Sequence, residues 1–270
     1  MIMKKYFLTY GDKNFYLSKK HLINLAKRSD LFHQTIALGF NDLDKEFVNT
    51  YSSILKVSKG GGFWIWKHRI IKNLLNDIAE NDIIIYCDAG ASLNLNNNAL
   101  KRFNEYIDIL QDSEYGNFRM QSEKQFKENQ YSTKEIFRYF QISPNSEIGN
   151  STQLQAGHMI FQKNQHTKDI INEFEKVLIF DSELITDKYN DNSQIEGFVS
   201  NRHDQSIFSL LTKKYGGVVI ENETEFKHRP GKQYDFPFLS VRTYGHGIKD
   251  YIDFLLLNRS RLNETVFFDE

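Results

Sequence analysis

The run Asp82-Ile-Ile-Ile-Tyr-Cys-Asp88-Ala-Gly90 constrains this chain more than any other stretch. Ile83 to Tyr86 is apolar on both faces, so a strand here must be covered on both sides, as happens at the centre of a sheet flanked by helices. The strand then ends on a carboxylate followed by two small residues. Upstream, Ile71, Leu74, Leu75 and Ile78 recur at helical spacing, which predicts an amphipathic helix over Trp64 to Glu80 leading into the strand. A helix feeding a buried strand is the repeating unit of a parallel α/β sheet. In such sheets the carboxyl ends of the strands open onto a crevice where ligands bind, and Asp88 stands at that edge.

The other elements alternate in the same way. Tyr6 to Tyr10 predicts a first strand stopping at Gly11-Asp12, and Ser18 is placed to cap a helix over Lys19 to Arg28. A helix over Leu100 to Leu110 and a strand over Asn117 to Met120 follow. Ser132-Thr-Lys-Glu135 has capping-box spacing for a helix through Phe140. Met159 to Gln162 predicts a short strand, and Thr167 a cap for a helix over Lys168 to Ile179. Asp204 to Tyr215 predicts a helix stopped by Gly216-Gly217, with Val218 to Ile220 as the next strand. No repeat and no Pro- or Ser-rich linker interrupts the pattern. The expectation is one domain over residues 1–270, with a parallel core and added antiparallel pieces.

Charge and cysteine content exclude several functions. With 34 basic and 35 acidic residues the formal charge is -1, which leaves no global footprint for a nucleic acid polymer. Cys87 is the single cysteine, so neither an internal disulfide nor a thiolate zinc cluster can form, and a reducing compartment is expected. The first apolar run is too short for a signal peptide, and no segment has the length of a membrane span. A soluble, cytoplasmic protein is expected.

Three clusters carry chemistry. Asp88 suits an oxygen ligand for a divalent metal that also holds a substrate diphosphate, or else it begins a turn helped by Ala89-Gly90. Gly90 lets a ligand approach the backbone. Gly60-Gly61-Gly62 precedes a helix but lacks the Gly-Lys-Ser/Thr ending of a P-loop. Lys67 falls in the first turn of that helix, where the dipole disfavours a cation, and this calls for a partner: a phosphate or the Asp88 carboxylate. Gln153-Leu-Gln155-Ala-Gly157-His158 leads into a strand and can present Gln155 and the Gly157 backbone. Asn201-Arg-His203-Asp204-Gln205-Ser206 opens a helix, so Asp204 reads equally as an N-cap or as a catalytic carboxylate that accepts a proton or steadies a cationic sugar, while the Gln205 amide is harder to explain by capping. His21, His33, His68 and His166 lack companions and are expected at the surface. The tail from Phe226 to Gly247 reads as irregular and holds the late histidines.

Taken in order, Gly-Gly-Gly-Phe-Trp-Ile-Trp-Lys67, Ile-Ile-Tyr-Cys-Asp88-Ala-Gly90, Gln155-Ala-Gly157 and Arg202-His203-Asp204-Gln205-Ser206 resemble a group of GT-A fold glycosyltransferases. Members occur in bacterial surface-polysaccharide clusters and in large DNA viruses. The resemblance spans about the first four-fifths of the chain. It implies a GT-A, Rossmann-like α/β fold with a mixed, mostly parallel sheet flanked by helices. It also implies a nucleotide-sugar donor, with UDP the commonest, a glycan or other hydroxyl acceptor, and a Mn²⁺ or Mg²⁺ ion. For a viral member the location is the host cytoplasm.

The same resemblance implies the site. Thr9, Tyr10 and Gly11 hold the nucleotide, and Asp88 stands where the metal-binding Asp-x-Asp motif falls. Lys67, Tyr86, Gly90, Gln155, Gly157 and His203 bind substrate, and Asp204 with Gln205 does the chemistry. Here the second acid of the motif is replaced by Gly90, with His228 or His246 as candidates to complete a metal shell. Two other readings stay open: a metal-dependent phosphohydrolase built on Asp88 and Asp204, and a non-catalytic sugar-nucleotide binder.

Overall fold

The computed structural model describes residues 3–191, 193–224 and 235–240. His228, His246 and most of the 226–247 tail lie outside them. Six strands form the main sheet: β1 (Lys5–Tyr10), β2 (Gln34–Leu38), β3 (Ile83–Cys87), β5 (Asn117–Met120), β6 (His158–Gln162) and β7 (Val218–Ile220). A two-stranded ladder pairs β4 (Ser92–Leu93) with β8 (Phe238–Leu239). The order across the sheet is β2-β1-β3-β6-β5-β7, and β6 alone runs against the other five. The fold is thus α/β, with a mixed, mostly parallel sheet flanked by helices.

Strand periodicity divides the core. Tyr6, Leu8, Ile84, Tyr86, Met159 and Phe161 point to one face, whereas Phe7, Ile83, Ile85 and Ile160 point to the other. The first face is covered by α2 (Trp66–Asp77), α4 (Gln165–Phe180) and α5 (Asp204–Tyr215). The second is covered by α1 (Tyr16–Arg28) and α3 (Asn97–Gln111). All five residues of β3 are buried, as a centre strand between helical layers requires. Among the described residues no helix is long and apolar enough to cross a membrane.

Several local expectations need correction. Ser18 does not cap α1, because the helix begins at Tyr16 and the buried Ser18 hydroxyl lies inside it. Thr133, not Ser132, caps the helix over Lys134–Phe140, while the Ser132 hydroxyl turns to Glu128. The helix predicted over Trp64 to Glu80 is shorter, running from Trp66 to Asp77, because the residues before it take left-handed backbone angles. His68 is buried rather than exposed, and His166 accepts a hydrogen bond from the Gly116 amide (3.0 Å).

At α4 the cap is Asn164 rather than Thr167. The Asn164 side chain accepts from the Thr167 amide (2.9 Å), and the Thr167 hydroxyl donates to the Gln162 carbonyl (2.6 Å). Asn164→Ala is expected to cost about 1 kcal/mol, read as a lower urea midpoint at unchanged m-value.

Candidate active site

Strand direction builds the site. β1 and β3 pair in parallel register, so Tyr10-Gly11 and Asp88-Ala89 emerge at the same edge of the sheet. They are close neighbours there: a Cβ on Gly11 would fall 3.1 Å from that of Ala89. Because β6 is antiparallel, its beginning reaches this edge, and the Asp88 amide donates to the Gly157 carbonyl (2.8 Å). The helix start at Asp204 closes the arrangement from the α2/α5 face. Between these segments lies a cleft of about 400 Å³.

Beneath the cleft Lys67 joins two carboxylates. Its Nζ lies 3.1 Å from Asp88 Oδ1 and 2.6 Å from Asp204 Oδ2, and it also donates to the Ala156 carbonyl (3.0 Å). The partner that the helix dipole called for is therefore Asp88, with Asp204 as a second. Lys67 is buried, and the two carboxylates hold its pKa above the ordinary lysine value against the effect of burial. Burial pushes the Asp204 carboxyl up to about 6; Lys67 pulls it down and Asp88 adds to the rise. Asp88 is the exposed member, with 40% of its side chain accessible, and its Oδ1 also accepts from Tyr86 Oη (2.6 Å).

The charges continue inward. Fully buried Arg119 on β5 interacts electrostatically with Asp204 on one side and Glu128 on the other, and burial lowers its pKa to about 9. Glu128 pairs in turn with Lys213 (2.7 Å). An alternating string, Asp88, Lys67, Asp204, Arg119, Glu128 and Lys213, thus runs from the cleft into the core. Lys67, Asp204 and Glu128 each have an ion-pair partner, whereas Arg119 feels Asp204 and Glu128 only at longer range and its buried Nε and Nη2 have no hydrogen-bond partner among the described residues.

Not every residue expected at the site reaches the cleft. Tyr10, Gly11, Asp88, Gly90, Gln155, Gly157 and Gln205 line it. Thr9 is fully buried and contributes no lining, and Tyr86 supports Asp88 from below. His203 is 4% exposed, with Nδ1 at 2.9 Å from the Ile185 carbonyl and its ring against Phe63 and Trp64. Asp204 is equally buried and lies outside the lining, whereas its neighbour Gln205 faces the cleft and donates to Gln153 Oε1 (2.9 Å). Gln155 donates to the Gln121 carbonyl and accepts from Thr224.

Sequence reasoning missed other lining residues: Trp64, Ser122, Glu123, Phe126, His158 and Arg202. Arg202 lies over Phe126, its Cζ 3.7 Å from the ring centre. The buried His158 imidazole has no hydrogen-bond partner among the described residues, and burial lowers its pKa to about 4. The signals available were the position of His158 directly after Gly157, at a strand start on the ligand edge, and the presence of Trp64 and Arg202 within the motifs themselves.

For a divalent cation the donor set is thin. Among the described residues no three His, Cys, Asp or Glu side chains converge. Asp88 Oδ2 is still placed for one, since a Cβ on Gly157 would fall 3.2 Å from it and glycine leaves that space open. One carboxylate oxygen fits an ion bound mainly by water and substrate phosphates, as Mg²⁺ commonly is.

Solved structures that resemble the fold include the following three. One is a glycosyltransferase involved in the glycosylation of the major capsid of PBCV-1 (11% identity, TM-score 0.46, 87% of this chain and 93% of that one). Another is mouse xyloside xylosyltransferase 1 in its apo form (11%, 0.42, 82% and 85%). The third is the galactosyltransferase LgtC in complex with donor and acceptor sugar analogues (10%, 0.42, 98% and 98%). No family model matches the chain, and no curated protein matches it in sequence. At this identity, and with TM-scores below 0.5, no activity passes from those structures to this chain.

Proposed function

We propose that this chain is a nucleotide-sugar-dependent glycosyltransferase of GT-A type, working in a cytoplasm and passing a sugar, most simply from a UDP-sugar, to a hydroxyl of a glycan or other acceptor. The observation that carries this reading is the Asp88–Lys67–Asp204 arrangement beneath a cleft at the ends of β1 and β3. It joins the motifs around Lys67, Asp88 and Asp204 in one place, as a shared transfer site requires.

In this reading Tyr10 and Gly11 border the nucleotide, and Asp88 faces the diphosphate. A Mn²⁺ or Mg²⁺ ion held by Asp88 would offset charge on the leaving diphosphate. Lys67 holds Asp88 in place while Tyr86 orients it from below. Asp204, buried under the floor, is a positioning residue that acts through Lys67. The amide nitrogen of Gln205 is engaged by Gln153, which leaves its carbonyl oxygen to accept from a sugar hydroxyl. Of the acids lining the cleft, Asp12 caps the turn after β1, Asp88 is paired with Lys67, and Glu123 accepts from the Gln125 amide through one oxygen, which leaves its other oxygen to take the acceptor's proton.

A phosphohydrolase built on Asp88 and Asp204 fits less well. The Lys67 ammonium occupies the space between them and satisfies the charge that a bridging metal would satisfy. The test is thermal stabilisation by UDP-sugars with Mn²⁺ but not by phosphate monoesters; the reverse pattern defeats the proposal. Donor hydrolysis or sugar transfer above background would exclude a non-catalytic binder.

Asp88→Ala is expected to weaken donor binding about tenfold or more while leaving the thermal midpoint nearly unchanged, because the side chain is partly exposed and Lys67 retains Asp204. Calorimetric titration of the variant with Mn²⁺ and UDP checks it. An unchanged, metal-responsive affinity would remove Asp88 from the site.

A further inference from the structure

Gly60, Gly61, Gly62, Phe63 and Trp64 have φ of +59°, +57°, +95°, +55° and +58°. They form one left-handed helical turn, closed by Phe63 N–H to Lys59 O (2.7 Å) and Trp64 N–H to Gly60 O (3.2 Å). Glycine adopts this hand without penalty, but L-residues such as Phe63 and Trp64 resist it through their Cβ atoms. A third strained residue touches both: His203, at φ +56°, packs its ring 5.0 Å from Phe63 and 5.6 Å from Trp64. Strain concentrated beside a ligand cleft is characteristic of a functional site rather than of core packing.

The turn presents one indole. Both tryptophans line the cleft, but Trp64 is only partly buried, whereas Trp66, two residues on, is 3% exposed and has a ring face taken by Tyr10 at 3.7 Å. Trp64 lies directly over Gly60, where a Cβ would come within 2.4 Å of the ring. On His203 it stacks at an interplanar angle of 23°. His203 directly precedes Asp204 and Gln205, and Trp64 and Gln205 line the same cleft. With Gly60 against one face, the indole is held at little entropic cost, and its remaining surface is what a ligand in the cleft meets.

We propose that Trp64 is a carbohydrate platform, taking the C–H face of a pyranose ring in the cleft beside Gln205. The proposal rests on the transferase reading for which sugars arrive, those of the donor and the acceptor sharing this chemistry. The intact chain is titrated by calorimetry, and by tryptophan fluorescence, with UDP, UDP-glucose, UDP-galactose, methyl glucosides, methyl galactosides and lactose. Sugar-bearing ligands are expected to change the emission. A response to UDP-sugars beyond that to UDP places the donor's sugar on the ring, and a response to the glycosides or lactose places the acceptor's.

Trp64→Leu is expected to lower affinity for the responding sugars roughly three- to tenfold while leaving that for UDP unchanged. Gly60→Ala, which pushes the indole aside, should do the same. If Trp64→Leu fails to fold, Trp64→Phe decides, with an intermediate loss for sugars alone. Unchanged sugar affinity in the variants, parallel loss of UDP and sugar affinity, or no sugar response from the native chain overturns the platform. UDP binding without any sugar response sinks the platform and spares the transferase; a Trp64-dependent sugar response without UDP binding does the opposite.

Discussion

Lys67→Met is expected to lower stability by about 3–5 kcal/mol at neutral pH and to abolish donor binding, because it strips the cation from a buried carboxylate. Asp204 is 4% exposed with Lys67 Nζ at 2.6 Å, and Arg119 acts on it only at longer range. Methionine matches the lysine stem, so the loss reads charge and not volume. Without the ammonium, Asp204 has to take up a proton to remain buried, and the deficit should shrink as the pH is lowered. Adding Asp204→Asn should recover part of the stability and none of the donor binding. Urea melts at two pH values, with calorimetric titration of UDP-sugar, separate the two effects. Stability insensitive to Lys67→Met would mean that the three side chains do not form one buried unit.

Acidification should unfold this protein through its histidines. Burial pushes the imidazoles of His68, His158 and His203 down to about 4, from an ordinary value of 6.5. His68 stacks on Phe174 with centres 4.8 Å apart and holds Nδ1 at 2.8 Å from the Ile65 carbonyl. Glu175 pulls its pKa up, while Arg69 and Lys72 push it down. The unfolded chain protonates such groups below 6.5 and the native chain does not. Their contribution is therefore complete above pH 6.5 and lost as the pH falls toward 4, at about 3 kcal/mol per histidine.

Asp204 works the other way. Its carboxyl is raised, so its contribution is complete below 3.8, lost as the pH rises through 6, and of similar size. It offsets about one histidine, and the remaining two suffice to remove much of the roughly 5–15 kcal/mol that holds an ordinary domain folded. Denaturation midpoints measured from pH 7 to 4 should fall with a slope near two protons, reduced by about one in His68→Phe. A flat profile over that range would mean that these rings are not buried in neutral form.

Much of this architecture was legible in the chain. Ile83 to Tyr86 read as a centre strand because a run apolar on both faces suits a sheet between helical layers, and the observed strand is Ile83–Cys87. The bounds of β5 and α5 followed from their apolar residues and from Gly216, which takes φ +97°. A lysine in the first turn of α2 announced a missing anion, and Asp88 supplied it. The edge strand β2 escaped notice because its residues are only partly covered. The direction of β6 escaped as well, since alternation of side chains is the same whichever way a strand runs.

The site was legible as motifs and not as depths. Three consecutive glycines announce backbone freedom, but not that the following Phe63 and Trp64 would share the left-handed turn. Nothing local separates Asp204, which sinks beneath the floor, from Gln205, which lines the cleft, because one helical step of rotation decides it. The sequence by itself determined the layers, the central strand and the carboxylate at its end, all of which depend on short-range patterns of apolar and polar side chains. Only the tertiary structure decided which charges are buried together, because burial and Coulomb attraction depend on neighbours that are 21 and 137 residues away along the chain.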